Sequence, residues 1–374
     1  MTMWIVIMWA TIALVIAALA YLGIKVPALL NAESIKNISK FEQFSIGLLL
    51  TLGVTGILAV CIDFINAVVC VLYLAMIWAV SDLAFWLLEK FANVHFAHNY
   101  IGWIALSVTI VALVIGWHLD HKVWQTDYEL TTSKNVPNLK VAMFADSHLG
   151  TTFDANGFAE HLKKIQAENP DIVVVVGDYV DDGTSKEEMI KATRILGQMQ
   201  TKYGVYFVAG NHDKGYYGAQ YRGFSEQELL DELQKNGIKV LRDESVLLAD
   251  AFYIIGRRDF SVVKEQGGYR SSMSELTKDL DKSKYMIVLD HQPTDFTNQA
   301  KSEVDLVLCG HTHGGQLFPF NQVGKWIKAN DLVYGYEKRA KTDFIVTSGI
   351  SDWAIKFKTG TKSEFVIINL QNKR

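Results

Sequence analysis

The stretch Cys309-Gly310-His311-Thr312-His313-Gly314-Gly315-Gln316 decides how the rest of the chain is interpreted. It follows the apolar, β-branched run from Val304 to Leu308, which predicts a buried strand. Because positions i and i+2 of an extended segment point to the same side, His311 and His313 are expected to face one point beyond the strand end. Neutral imidazole is a common metal ligand, so the pair predicts half of a metal site. Two structural histidines are the alternative for this pair taken by itself.

Four apolar strands upstream also end in polar residues that suit metal ions. The strands are Lys140–Phe144, Asp171–Val176, Gly204–Ala209 and Tyr285–Leu289, and the residues that follow them are Asp146 and His148, Asp178, Asn211 and His212, and His291. In open α/β sheets, functional sites gather at the carboxyl ends of the strands. An unpaired carboxylate at Asp178 would be costly after so apolar a strand, and capping of the next segment is the alternative to metal binding. The five strand ends together predict one site.

The polar residues at these strand ends exceed what one metal ion requires. Seven can act as ligands, namely Asp146, His148, Asp178, Asn211, His291, His311 and His313, and His212 is left over. Two divalent ions about 3.5–4 Å apart, sharing a bridging carboxylate, fit this count and stabilise both oxygens of a displacement at phosphorus. They also lower the pKa of a bridging water, which becomes the nucleophile, while the remaining imidazole can protonate the leaving group. Oxygen and imidazole ligands without thiolate indicate Mn, Fe or Zn, and Cys309 is interpreted as a packed strand residue.

An ordered set of five motifs resembles the calcineurin-like metallophosphoesterase family over about residues 138 to 370. The motifs are Asp146-Ser-His148, Gly177-Asp178-Tyr-Val-Asp181, Gly210-Asn211-His212-Asp213, His291 and Gly310-His311-Thr-His313. The run Gly-His-Thr-His-Gly-Gly-Gln is typical of a membrane-anchored branch of that family. The resemblance implies a four-layer α/β/β/α sandwich of two mixed sheets.

The resemblance also implies a role for each motif residue. Asp146, His148 and His313 are expected to hold the first metal ion, Asp178 to bridge, and Asn211, His291 and His311 to hold the second. His212 is expected to be the acid or transition-state donor, with Asp181 or Asp213 as its partner. Many members have Glu at the position of Asp213, which is not a ligand. Asp182-Gly183 stands where the family's phosphatase motif has Arg-Gly, and this departure argues against protein phosphatase activity.

Residues 1–122 are interpreted as a transmembrane domain of about four helices. Four apolar stretches are each long enough to cross a bilayer of about 30 Å: Met3 to Gly23, Phe44 to Ile62, Phe64 to Leu88 and Ile101 to Leu119. A buried soluble bundle is the alternative. Asp82 interrupts the third stretch, and it is interpreted as a residue near the membrane interface rather than an intramembrane functional group.

Residues 123–139 are predicted to form a polar linker, and residues 140–374 a metallophosphoesterase catalytic domain. The loops after the first and third stretches carry Lys25, Lys36, Lys40 and Lys90, whereas the other side shows Lys122 and Lys134. Because positive charge favours the cytoplasm, this count predicts a catalytic domain on the extracytoplasmic side of the cell membrane. The net charge of −4 and the lack of a sustained basic stripe predict no binding of nucleic acid.

The sequence therefore predicts a membrane-anchored two-metal phosphoric ester hydrolase, which would act as a phosphodiesterase, phosphomonoesterase or pyrophosphatase. Attachment to a membrane suggests a lipid-linked substrate, and the aromatic-rich stretch from Leu317 to Trp326 is a candidate contact for an acyl chain or the bilayer. A catalytically silent membrane scaffold that retains the fold is one alternative, and the complete set of site residues argues against it. A transporter with an appended domain is another, and the few charges within the apolar stretches argue against it.

Two local patterns make further predictions. Ser185, followed three residues later by Glu188, predicts a capping box at the start of a helix. Arg257 and Arg258 follow a short strand, where they would contact a phosphate or form surface ion pairs.

Overall fold

The computed structural model describes the backbone of residues 3–30, 32–92 and 98–373, and the side chains of residues 5–30, 32–92 and 100–373. The chain divides into two compact units, Met1–Gly116 and Trp117–Arg374. Each unit encloses its own buried apolar side chains, which form one cluster in the described part of the first unit and three in that of the second.

The N-terminal helices are α1 (Met3–Lys25), α2 (Pro27–Leu30), α3 (Glu33–Lys36), α4 (Lys40–Cys61), α5 (Phe64–Ala92) and α6 (His98–His121). Within the described residues, four helical segments are long and apolar enough to cross a membrane: Ile5–Leu30, Lys40–Cys61, Phe64–Ala92 and Tyr100–His121. Large apolar side chains such as Val60 and Phe64 are exposed on these helices, as expected where lipid is the solvent. The prediction of about four apolar helices is confirmed.

Two acidic side chains of this unit have local partners. Asp82 in α5 accepts a hydrogen bond from the Tyr21 hydroxyl at 2.6 Å, and its Oδ2 lies 2.5 Å from the Lys25 ammonium in the last turn of α1. Asp63 accepts a hydrogen bond from the backbone N–H of Asn66 at 2.8 Å, at the turn that opens α5. Neither carboxylate is therefore left uncompensated among the apolar helices.

The C-terminal unit contains two six-stranded sheets. The first has the order β1-β12-β2-β3-β4-β5 and the second the order β10-β11-β9-β8-β7-β6. The strands are β1 (Trp124–Thr132), β2 (Leu139–Phe144), β3 (Ile172–Val176), β4 (Val205–Val208), β5 (Lys239–Val240), β6 (Glu244–Leu248), β7 (Phe252–Gly256), β8 (Tyr285–Leu289), β9 (Leu306–Cys309), β10 (Gly335–Arg339), β11 (Thr342–Val346) and β12 (Glu364–Asn372). Both sheets mix parallel and antiparallel pairs, as predicted.

Helices cover the outer face of each sheet. The helices of this unit are α7 (Ala155–Ala167), α8 (Lys186–Leu196), α9 (Ala219–Arg222), α10 (Glu226–Lys235), α11 (Ser261–Lys264), α12 (Met273–Thr277), α13 (Phe296–Lys301) and α14 (Val323–Trp326). Apolar residues of α7, α8 and α10 join the core on one side, and those of α12 and α13 join the core on the other. Phe158 of α7 packs with Phe144 of β2 on one side, and Phe296 of α13 stacks on Phe344 of β11 on the other. Between the sheets lies a core of alternate strand residues, such as Val174 and Ile287. The predicted α/β/β/α sandwich is confirmed.

The strands that carry the predicted site residues run parallel within each sheet. β3 lies between β2 and β4, with Val175 opposite Phe144 and Val176 opposite Val208. In the second sheet, β8 and β9 are also parallel, with Leu289 opposite Leu308. All five residues of β3 are buried, because both faces of a central parallel strand are covered. The carboxyl ends of the parallel strands therefore lie at the same edge of each sheet.

The start of α8 differs in part from the predicted capping box. Ser185 caps the helix by accepting the backbone N–H of Glu188 at 3.2 Å. The Glu188 carboxylate does not return to Ser185; it accepts the backbone N–H of Ala155 at 2.6 Å and so joins the first turns of α7 and α8. The backbone N–H of a residue distant in sequence thus binds the carboxylate that the local pattern assigns to the N-cap.

The segment predicted as a linker over residues 123–139 contains strand β1 instead. β1 pairs in parallel with β12, with Trp124 opposite Glu364 and Thr132 opposite Asn372. Tyr128 and Leu130, on one face of this strand, contact the core between the sheets. The mixed polarity of the segment hides this alternation, and its partner strand lies more than two hundred residues away. The domain boundaries at residues 122 and 139 stay predictions.

Candidate metal centre

The predicted site residues converge at the carboxyl ends of five strands. Asp146 and His148 follow β2, Asp178 follows β3, Asn211 and His212 follow β4, His291 follows β8, and His311 and His313 follow β9. Among the described residues, three groups of possible ligands have donor atoms within 4.8 Å of one another: His148, Asp181 and His212; Asp146, His148 and His313; and Asp178, His291 and His311. The last two are the groups that the resemblance assigns to the two metal ions, apart from the amide of Asn211.

Hydrogen bonds at Nδ1 set the orientation of three of these imidazoles. Nδ1 of His148 lies 3.1 Å from Oδ2 of Asp181, Nδ1 of His291 lies 2.8 Å from the carbonyl oxygen of Val176, and Nδ1 of His313 lies 3.1 Å from that of Ser351. An ionised carboxylate and a carbonyl can only accept, so each Nδ1 carries the proton. In the neutral form of each ring the lone pair is then on Nε2, which is how an acceptor fixes the tautomer of a metal-binding histidine. Burial lowers the pKa of His291, but Asp178 and Asp146 outweigh burial and hold this pKa well above its usual value, so this ring is neutral only when a cation replaces the proton.

Two of these Nε2 atoms face each other. Nε2 of His148 and Nε2 of His313 are 3.2 Å apart, and both rings are buried. Two lone pairs so close together repel unless a cation or a proton lies between them. Burial and the neighbouring His148 hold the pKa of His313 well below its usual value, so the ring of His313 is neutral, as a ligand must be. The arrangement fits a metal ion.

Asp178 lies between the two groups of ligands. Its Oδ2 is 3.1 Å from Nε2 of His291 and 3.7 Å from Nε2 of His148. Burial raises the pKa of Asp178, but the charges of His291 and His212 outweigh burial and hold this pKa well below its usual value. An ionised carboxylate in this position fits the bridging role that the resemblance implies.

The amide oxygen of Asn211 is the second observation that fits a cation. Oδ1 of Asn211 is buried and has no hydrogen-bond partner among the residues that the structure describes, whereas Nδ2 donates to the Tyr216 hydroxyl at 3.0 Å. A buried oxygen without a donor is costly, and a divalent ion would compensate for it. Burial and the neighbouring His291 lower the pKa of His311 to about 4, which keeps this ring neutral, as a ligand must be.

His212 differs from the candidate ligands in its charge. Its Nδ1 lies 3.1 Å from Oδ1 of Asp181, the same carboxylate that holds His148. Burial lowers the pKa of His212, but Asp178 and Asp181 outweigh burial and raise this pKa to about 9. His212 is therefore protonated at neutral pH and has an N–H at Nε2 to give, which suits a general acid.

Asp213 holds the backbone of the site rather than a side chain. Its carboxylate accepts the N–H groups of Asp178, Tyr179, Val180 and Gly210 at 2.7–3.1 Å. Asp213 thus caps the segment after β3 and ties it to the end of β4. Of the two partners proposed for His212, Asp181 is the one that contacts its ring. Oδ1 of Asp178 accepts the backbone N–H of His212, across the site from the segment that Asp178 was expected to cap if it bound no metal.

The backbone of the site is unusually constrained. Five candidate ligands have positive φ, with values of 55° at Asp146, 34° at His148, 52° at Asp178, 73° at His311 and 48° at His313. A residue with a side chain pays of order 1 kcal/mol for this conformation, so the packing around the site must hold it. Gly177 also has positive φ, and a Cβ there would lie 2.4 Å from Nδ1 of His291. Only glycine fits at this position.

Sequence reasoning missed the residues behind His313. Ser351 supplies the carbonyl that fixes its ring, and Oδ1 of Asp352 lies 3.3 Å from its Nδ1. The buried Lys358 ammonium donates to the carbonyl oxygens of Ser348 and Ser351 at 2.8 and 3.3 Å. The sequence does contain a pattern that indicates these residues, because they follow the apolar strand β11 as the candidate ligands follow the other strands.

Arg257 is not available to a phosphate. Its guanidinium is buried and donates to Asp290 and Asp295, both at 2.9 Å. The next residue, Arg258, donates a hydrogen bond from its backbone N–H to the carboxylate of Asp243. Of the two predicted uses, ion pairing applies to Arg257, although the pair is buried rather than on the surface. Cys309 is also buried, within the core beside β8, so its interpretation as a packed strand residue is confirmed.

Comparison with known proteins identifies the family. A family model described as calcineurin-like phosphoesterase matches residues 139–315. An uncharacterized metallophosphoesterase of Campylobacter jejuni is 33% identical over 274 residues, which are 72% of this chain and 69% of that protein. The chain belongs to the calcineurin-like metallophosphoesterase family. Membership implies phosphoester hydrolase chemistry, and the family typically uses a pair of divalent metal ions.

Some relatives of this metallophosphoesterase are named as transmembrane proteins. A transmembrane protein with metallophosphoesterase domain from Danio rerio is 28% identical over 293 residues, 76% of this chain. The chain spans 65% of that relative and 60% of two uncharacterized metallophosphoesterases of Helicobacter pylori, which is less than two thirds of their length. Among solved structures, a dimetal phosphatase from Danio rerio is similar with a TM-score of 0.39 and 14% identity, over 56% of this chain and 87% of that one.

Proposed function

We propose that the protein is a membrane-anchored, two-metal phosphoric ester hydrolase. The observation that carries this proposal is the facing pair of Nε2 atoms of His148 and His313, 3.2 Å apart, with the proton of each ring held on Nδ1. In this proposal, Asp146, His148 and His313 would hold one ion, Asn211, His291 and His311 would hold the other, and Asp178 would be shared between them. When bound, two divalent ions neutralise charge on the phosphoryl oxygens and make a nearby water more acidic.

The protein's own groups orient the substrate and move a proton. His212 is held by Asp181 and carries a proton at neutral pH, so its Nε2–H can pass that proton to the departing oxygen. Asp181 also keeps Nδ1 of His148 protonated, which leaves Nε2 free as a ligand. Asp213 fixes the loops after β3 and β4, which carry Asp178 and His212. In this proposal, His148, Asp181, His212 and Asp213, which lie on the loops after β2, β3 and β4, thus act together.

The test uses the purified full chain in detergent micelles. We expect hydrolysis of an aryl phosphodiester or phosphomonoester with Mn²⁺, and loss of turnover with EDTA. Asp178→Asn should lower kcat by more than about 100-fold, because even an indirect partner of a metal ligand is worth 10–100-fold. Asp279→Asn is the matched control, since that side chain is 84% exposed. A folded protein without bound metal and without turnover on either ester would instead favour a silent scaffold.

We further propose a lipid-linked phosphate ester as substrate. Besides the apolar helices, support comes from Phe318, Phe320 and Trp326, which are 60%, 56% and 69% exposed. They follow the turn at His313–Gly315, and exposed apolar groups in sequence suit an acyl chain. Replacing Phe318 and Phe320 with serine should slow hydrolysis of a phospholipid in mixed micelles but not of a soluble aryl ester. Cleavage of water-soluble phosphates only, with none of the micellar lipid, would exclude this substrate class.

We also propose that residues 140–374 form the catalytic domain and that this domain lies on the extracytoplasmic side of the membrane. Support comes from the lysines of the loops after the first and third apolar stretches. A C-terminal reporter that is active only outside the cytoplasm should be active in this fusion. Activity of a reporter that works only in the cytoplasm would reverse the topology.

A further inference from the structure

A short loop after β4 brings a tyrosine hydroxyl to the candidate centre. Tyr216 follows the motif residues Asn211 and His212, and its hydroxyl accepts a hydrogen bond from Nδ2 of Asn211 at 3.0 Å. Its ring meets the ring of His212 edge to face, with centroids 5.1 Å apart. The side chain is 46% exposed, so it lines the open side of the site rather than the core. Tyr216 therefore contacts both a proposed ligand and the proposed acid.

The hydroxyl of Tyr216 has a proton left to donate. A phenol hydroxyl offers one proton and accepts through its oxygen. The oxygen already accepts from the Asn211 amide, and an N–H donor cannot also receive the phenolic proton. Among the described residues, no acceptor takes this proton. The phenol stays protonated at neutral pH, since its ordinary pKa is about 10. A donor at the mouth of a phosphoryl site, beside the acid, is thus free for a ligand oxygen.

The loop that carries Tyr216 is held by Asp182. Its carboxylate accepts the backbone N–H groups of Tyr216 and Tyr217 at 3.1 and 3.0 Å, and its side chain is buried. Asp182 stands where the family's phosphatase motif has an arginine. In this chain, the position thus anchors a loop that presents a neutral donor. Gly215, with φ of 73°, lets the loop turn directly before the tyrosine.

We propose that Tyr216 contacts the substrate: its hydroxyl donates a hydrogen bond to a non-bridging oxygen of the phosphoryl group. This inference rests on the proposed function. Because negative charge on the phosphoryl oxygens is the feature recognised, the bond should matter for binding of inorganic phosphate as well as for turnover.

The test compares Tyr216→Phe with Tyr217→Phe in the full chain in detergent. Tyr217 is the matched control, because it lies on the same loop, is 68% exposed, and packs its ring on Tyr221. Five quantities are measured: kcat and KM on an aryl phosphodiester, the dissociation constant of inorganic phosphate by calorimetry, the content of bound Mn²⁺ and the melting temperature. A hydrogen bond to a charged group predicts a loss of about 10- to 100-fold in kcat/KM for Tyr216→Phe.

The expected result is weaker turnover and weaker phosphate binding in Tyr216→Phe, with Mn²⁺ content and melting temperature as in the wild type, and no effect of Tyr217→Phe. Wild-type turnover and phosphate affinity in Tyr216→Phe would overturn the inference and leave the proposed function standing. Loss of Mn²⁺ together with activity would also overturn it, because Tyr216 would then act only by positioning Asn211. A wild type that cleaves neither ester and binds no phosphate would refute the proposed function itself.

Discussion

Replacing Asp181 with asparagine tests the carboxylate that contacts both His148 and His212. The carboxylate accepts from Nδ1 of His148 through Oδ2 and from Nδ1 of His212 through Oδ1, both at 3.1 Å. An asparagine amide has a single acceptor oxygen, so one of the two imidazole N–H groups must face an NH₂ donor. The Asp181 side chain is only 13% exposed, so water does not readily replace the lost acceptor. An unsatisfied donor of this kind costs about 1–3 kcal/mol.

The replacement should change the environment of both His148 and His212. His148 loses the acceptor that holds its proton on Nδ1, and loss of such a partner typically weakens metal binding about 10- to 100-fold. His212 loses a negative charge that raises its pKa to about 9, so its pKa falls. As an acid, His212 works only when protonated, and activity is lost as the pH rises through its pKa. The alkaline limb of the kcat profile should therefore move to lower pH. Bound cations lower this pKa in both proteins, so the comparison concerns the difference between them.

The assay combines a Mn²⁺ titration against a competing chelator with the pH dependence of kcat for an aryl phosphodiester. Asp279→Asn is the control, because it removes an exposed carboxylate whose nearest cation, Lys278, is 3.9 Å away. A variant Asp181→Asn with unchanged Mn²⁺ affinity and an unchanged alkaline limb would refute the reasoning. A shift in only one of the two readouts would show which imidazole keeps the remaining acceptor.

Two further predictions concern stability. Asp213→Asn should lower the free energy of unfolding by about 3 kcal/mol, because an amide cannot accept all the backbone N–H groups that the carboxylate now holds; an unchanged midpoint in denaturant would contradict this. Burial lowers the pKa of Lys358 to about 8. The pKa of Lys358 in the unfolded chain is about 10.5, so the unfolded state binds more protons than the folded state between about pH 8 and 10.5. The free energy of unfolding therefore rises with pH across this range, by about 3 kcal/mol from this one residue. The wild type should gain stability over Lys358→Met from about pH 8 to 10.5, and parallel melting profiles of the two proteins across that range would exclude the effect.

Much of this protein is determined locally and is therefore visible in the sequence. An apolar run followed by a polar residue, as at Val304 to His311, is a feature of a few adjacent residues. Five such runs predict the sandwich and its site, because parallel strands must end at a common edge. The long apolar stretches predict the four N-terminal helices for the same reason, since length and composition alone meet the requirement of a bilayer.

Only the tertiary structure decided how these local features are connected. Asp181 contacts His148 from thirty-three positions away, Ser351 fixes the ring of His313, and β1 pairs with β12 from the opposite end of the domain. Such contacts depend on the order of the strands and on the direction of each side chain, which no short stretch of sequence specifies. The sequence thus predicts which residues carry the chemistry, whereas the packing of distant loops decides which acceptor faces Nδ1 of each of these histidines.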